Sequence, residues 1–90
     1  MSTWLIIADE TTDKESLLRQ TKVIKRLPGN KSREEALAEL YKVAKGYVPD
    51  SLKGAQRLVA RDVDGSFWIL PKNGAGHASC NIRLIEQIHP

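Results

Sequence analysis

The apolar positions of this chain change period several times, and each change marks an element. Trp4-Leu5-Ile6-Ile7-Ala8 is a short run rich in β-formers, which predicts a strand from Thr3 to Glu10. Both sides of that run are apolar at its middle, so the strand is expected between neighbours rather than at an edge. Asp9 to Lys14 is polar and predicts a turn. Two templates then compete. Thr12-x-x-Glu15 has the form of a capping box that would open a helix through Leu17, Thr21 and Ile24. Thr21 to Leu27, with β-branched Thr, Val and Ile, instead predicts a strand returning on the first. The strand is preferred, because no helical stripe persists there beyond two turns.

The segment Ser32 to Pro49 carries its own start, body and stop. Ser32 followed by Glu35 is a capping box, in which hydroxyl and carboxylate each accept a backbone N–H of the other residue. Glu34 and Glu35 in the first turn and Lys42 and Lys45 in the last suit the helix dipole. Leu37, Leu40, Tyr41, Ala44 and Val48 recur at helical spacing, widened by Ala36, Val43 and Tyr47. Gly46 is expected in the left-handed position that ends the helix, and Pro49 prevents continuation. The prediction is a helix from Arg33 to Lys45 whose stripe faces a core, since a lone helix of this length is marginal in water.

Beyond it, Gln56 to Val63 predicts a strand, Asp64-Gly65 a two-residue hairpin turn, and Ser66 to Leu70 the returning strand, ended by Pro71. A glycine-containing turn at Asn73–Gly76 follows. From His77 to Leu84 the pattern alternates, with Ala78, Cys80, Ile82 and Leu84 on one face and His77, Ser79, Asn81 and Arg83 on the other. The fold class is therefore α+β: a two-layer domain with one helix packed on an antiparallel sheet in the order β-β-α-β-β-β. A β-grasp-like arrangement shares that order.

Ninety residues predict a single domain over 1–90, with little room for an enclosed active-site cavity. No apolar run nears the ~20 residues that a membrane span needs, and no signal-peptide pattern is seen, so no membrane role is expected. A single cysteine, Cys80, fits a reducing cytoplasm. The net charge of +3 is mild, but its distribution is not. Residues 1–16 hold Asp9, Glu10, Asp13 and Glu15 against Lys14. Residues 17–33 hold Arg19, Lys22, Lys25, Arg26, Lys31 and Arg33 with no acid. Those six are the candidate contacts for an anion or nucleic acid; alternatively they balance the acidic strand beside them.

The chemistry-bearing patterns mostly fail on geometry. Gly29-Asn30-Lys31-Ser32 before a helix resembles a phosphate-binding loop, yet Asn30 and Lys25 stand where glycines are needed. What survives is an anion resting on the helix N-terminus beside Lys31 and Arg33. His77-x-x-Cys80 has ligand-like spacing, with His89 as a third donor, but an offset of three on a strand sends the two side chains to opposite faces. The same offset argues against a Cys–His nucleophile, and Asp62 and Asp64 lack a neighbour that would raise either pKa. No enzyme activity, metal or cofactor is expected. Arg57 and Arg61 share a parity, and Phe67, Trp68 or Trp4 could stack bases, although Trp4 and Trp68 are better read as core.

Trp4-Leu-Ile-Ile, the capped helix with Tyr47-Val-Pro, Asp64-Gly-Ser-Phe-Trp-Ile-Leu and the strand ending Ile82-Arg-Leu-Ile-Glu together resemble a group of short uncharacterised actinobacterial proteins. The chain departs from them at Asn73–Gly76 and His77–Cys80. The resemblance implies a fold and no reaction. The expected function is a small non-enzymatic binding or regulatory module acting through protein contacts, including self-association through a sheet edge. A nucleic-acid-binding domain using 17–33 and a small-ligand sensor are the alternatives.

Overall fold

The computed structural model describes residues 3–11, 19–49, 54, 56–72 and 79–89, and of residue 19 the backbone alone. The chain runs β1 (Thr3–Thr11), β2 (Arg19–Leu27), α1 (Arg33–Gly46), β3 (Arg57–Arg61), β4 (Phe67–Pro71) and β5 (Ser79–Gln87). This is the expected β-β-α-β-β-β order, one helix on a five-stranded sheet. In space the strands lie β2-β1-β5-β4-β3, each pair antiparallel. The first hairpin thus forms one edge, and the meander after the helix returns from the other edge to pair with β1.

The helix makes that return possible. It starts beside β1, where the Trp4 indole donates to the Lys31 carbonyl at 3.2 Å, and ends beside β3, where Arg57 donates to the Lys45 carbonyl at 3.4 Å. Fourteen helical residues rise about 21 Å. Five strands span about 19 Å from edge to edge. One helix of this length is enough to carry the chain across the sheet and cover one face.

The covered face is the core: Ile6 and Ala8 from β1, Leu27 from β2, Phe67 and Ile69 from β4, Cys80 and Ile82 from β5, and Ala36, Leu40 and Ala44 from the helix. The helical stripe is narrower than its periodicity suggests. Ala36, Leu40 and Ala44, spaced by four, are buried, with Leu37 and Val43 at their flanks. Tyr41 and Val48, expected inside, are exposed. Two alanines along the buried line let the helix lie close, and Leu40 between them fills the space over the sheet.

The N-terminus follows the capping box: Ser32 Oγ accepts from the Glu35 N–H at 3.1 Å, and the Glu35 carboxylate from the Ser32 N–H at 3.0 Å. The C-terminus differs from expectation. Gly46 belongs to the helix, and the cap is Tyr47, in an extended conformation with its N–H donating to the Val43 carbonyl. No left-handed residue is needed, because the chain leaves directly toward the buried Pro49.

Three other boundaries shift for local reasons. β1 runs to Thr11, one residue past the Glu10 expected as its end and into the polar stretch from Asp9, because Asp9, Glu10 and Thr11 each have cross-strand partners on both sides. β3 stops at Arg61 because Asp62 opens the hairpin loop, its carboxylate accepting from the Val63 N–H and the Trp68 indole, both at 2.7 Å. Asp64-Gly65 is not a two-residue turn. The Gly65 N–H donates to the Asp62 carbonyl, Asp62 N–H to the Ser66 carbonyl, and Gly65 has φ +91°, which makes a three-residue loop ending in a bulge. Pro71 joins β4 rather than ending it. It pairs with Arg57 beyond the last β4–β5 pair, Ile69 with Cys80, where its missing N–H breaks no bond to β5.

Candidate functional site

The predicted basic contacts do not form one surface. Register places Lys22 and Lys25 on the helix-covered side of β2 and Arg26 on the uncovered side. Arg19 begins β2 at a position opposite Thr11. The two lysines already meet acids. Lys22 Nζ lies 3.2 Å from the carboxylate of Glu10, which is fully buried in β1. Lys25 Nζ lies 3.1 Å from Glu39 on the helix, and Lys42 approaches the same carboxylate at 3.8 Å. The Lys25 hydrogen bond, and then its charge, hold Glu39 below the ordinary carboxylate range. Arg26 donates to the Gln87 side chain at 2.6 Å.

Lys31 and Arg33 flank the helix start. There the Glu35 carboxylate occupies the position an external anion would take. Its hydrogen bonds with Ser32, backbone first, lower its pKa.

A second cationic group assembles at the other end of the helix. The shared parity of Arg57 and Arg61 holds: register with Pro71 and Phe67 puts both on the helix-covered side of β3. The helix brings Tyr41 and Lys45 against them. The Arg61 guanidinium lies 5.2 Å from the Phe67 ring centroid and 5.7 Å from that of Tyr41. Lys45 Nζ stands 4.7 Å from the Tyr41 centroid, and the two rings are 5.6 Å apart. Tyr41, Lys45, Val59, Arg61 and Phe67 line a cleft of about 450 Å³. Among the described residues no carboxylate pairs with Lys45, Arg57 or Arg61. Parity points to Arg57 and Arg61 and aromatic character to Phe67, but nothing local to Tyr41 or Lys45 marks them as partners of β3.

The uncovered face has its own organisation. Register lines up Thr21, Asp9, Asn81, Trp68 and Ala60 across the five strands. This polar row is tightly bonded. Arg83 meets Asp9 at 2.8 Å, and the Thr21 hydroxyl donates to the same carboxylate. Asn81 donates to Ser66 Oγ and to the Phe67 carbonyl, both at 3.1 Å, and Ser66 Oγ donates to Asp64 at 2.6 Å. That hydroxyl, followed by the Ser66 N–H, holds Asp64 below its ordinary value. Apolar side chains stand on either side of the row: Leu5, Ile7, Val23 and Ile85 toward one end, Leu58 and Leu70 beside Trp68. Trp68 therefore lies outside the helix-covered core in which it was expected.

Asp9 and Asp64 act as hydrogen-bond acceptors in this network, and the lowered pKa of Asp64 suits an acceptor, not a proton donor. Cys80 is fully buried on the covered side. Burial, then the charges of Glu10 and Asp9, push its thiol up to about 12, which keeps it protonated and unreactive at neutral pH. His77 lies outside the described residues, among which no three of His, Cys, Asp and Glu come together to hold a metal ion. No described helix is long and apolar enough to cross a membrane. Comparison with protein families, with curated proteins and with solved structures finds no match.

Proposed function

We propose that this chain is a non-catalytic binding module whose uncovered sheet face takes a protein partner, a second copy of the chain being the first to test. The observation that carries this reading is that the described elements cover the sheet on one side. Among the described residues a single helix lies on one face, while the other presents Val23, Leu58 and Ile85 at 56%, 39% and 37% exposure beside Trp68 and the buried Leu5 and Ile7. Exposed apolar side chains grouped around a satisfied polar row have the anatomy of a contact surface, with the row fixing register and the flanks supplying area.

Edge pairing through β2 is a weaker route. That strand carries Lys22, Lys25 and Arg26 and a register shift opposite Ile6 and Ile7, both of which oppose strand addition. Sedimentation velocity across a wide concentration range tests the reading, with Leu58→Glu and Ile85→Glu as exposed, fold-neutral variants. Association that weakens in both variants supports it. A wild-type chain that stays monomeric and captures the same proteins as the double variant would remove it.

A further inference from the structure

We propose that the cleft between α1 and β3 binds single-stranded nucleic acid, with phosphates on Lys45, Arg57 and Arg61 and a base against Tyr41. The site lies on the opposite side of the sheet from the proposed protein surface, so the two readings stand or fall separately.

The first observation is uncompensated charge. On β2 the lysines have carboxylates at 3.1–3.2 Å. At the cleft Lys45 and Arg61 line the walls and Arg57 lies beside them on β3, and none of the three has a carboxylate among the described residues. What holds them is aromatic and backbone instead: Arg61 rests against Phe67 and Tyr41, Lys45 against Tyr41, and Arg57 on the Lys45 carbonyl. Packing against rings orients these cations without neutralising them, so their charge is left for an external anion. The Arg57 bond also offsets the negative end of the helix, which would otherwise repel that anion.

Spacing and the exposed ring identify the ligand. Arg57 and Arg61 are four residues apart on one strand, about 13 Å between backbone positions. One phosphate group is smaller than that separation, whereas a chain of phosphates spans it. Tyr41 is 43% exposed at the mouth of the cleft, and a ring among cations is the arrangement that takes bases as well as phosphates. An acidic peptide would satisfy the cations and leave the ring unused. A phosphate-linked strand uses both.

Fluorescence anisotropy of a labelled oligothymidylate of about ten nucleotides tests this across a salt series. Three phosphate contacts predict a log–log salt slope of about −2. Lys45→Ala and Arg61→Ala should each reduce the slope by about 0.7. Tyr41→Ala should weaken binding about tenfold with the slope unchanged, and Tyr41→Phe should restore it. Lys22→Ala should leave affinity as it was. Circular dichroism of each variant separates lost contacts from lost fold, and Lys45→Glu, at an exposed position, is the backup should Tyr41→Ala unfold. The proposal is overturned by no anisotropy change at the lowest salt. It is equally overturned if Lys22→Ala loses as much as Arg61→Ala, or if an oligoglutamate peptide of equal charge displaces the strand as well as unlabelled oligothymidylate does.

Discussion

The strand β2 and the α1–β3 cleft are both basic, and they are opposite in kind. On β2 the cations answer acids from other elements: Lys22 meets buried Glu10, and Lys25 meets Glu39 from the helix. In the cleft, Lys45 and Arg61 are held by the rings of Tyr41 and Phe67 and meet no carboxylate among the described residues. A run of like charge in a chain is therefore not a potential on its surface. The potential depends on which acids the fold delivers. Here it delivers them to Lys22 and Lys25 of the run, and among the described residues to none of the dispersed three.

The helix supplies parts to both regions, so the largest expected effect joins them. Leu40→Ala, at the centre of the buried stripe, should cost about 2–5 kcal/mol in denaturant unfolding and expose Cys80 to thiol reagents. Native Cys80 should react only as slowly as the protein opens. If Leu40→Ala left thiol labelling slow and only one of the two basic regions changed, the helix would not be their common support.

Next in size is the unmasking of β2. Glu39→Gln removes the carboxylate shared by Lys25 and Lys42 and should raise affinity for a single-stranded oligonucleotide several-fold at low salt. The gain should vanish when Lys25→Ala is added. Unchanged affinity would show that Glu39 is not what silences β2.

Acid should separate the regions further. Glu35, Glu39 and Asp64 have folded-state pKa values below their ordinary 4.5, 4.5 and 3.8. Depressed carboxylates contribute stability that is present above the unfolded-state value and is lost as pH falls through the folded one. The melting temperature should therefore fall below about pH 4.5, and Glu39→Gln should flatten that limb. Arg61→Ala should leave the limb unchanged, since no carboxylate of the described residues faces it. The smallest effect is expected from Arg61→Lys, which keeps the charge but loses the planar stacking, at about 0.5 kcal/mol by thermal denaturation.

Much of the fold was legible because it rests on local chemistry. Ser32 and Glu35 mark a helix start within four residues, and the alternation of Cys80, Ile82 and Leu84 against Ser79, Asn81 and Arg83 sorts β5 correctly onto its two faces. The illegible parts depend on distant elements. A stripe as broad as Ala36 to Val48 cannot say which of its edges meets a sheet, so Tyr41 was placed inside. The run Phe67-Trp68-Ile69-Leu70 is apolar throughout and hides its own phase, so the sequence does not tell which face Trp68 takes. The pairing of Lys25 with Glu39 joins residues fourteen apart in different elements, and no periodicity announces it. The cleft was half visible in the parity of Arg57 and Arg61 and completed only by a helix arriving from elsewhere.

The two tryptophans have ended on opposite sides of the same sheet. Trp4 is tied to the Lys31 carbonyl beneath the helix start, and Trp68 to Asp62 on the bare side. The molecule therefore carries two optical probes, one for each surface. With Trp4→Phe and Trp68→Phe made separately, emission can report whether a bound molecule has touched the helix start or the opposite side of the sheet.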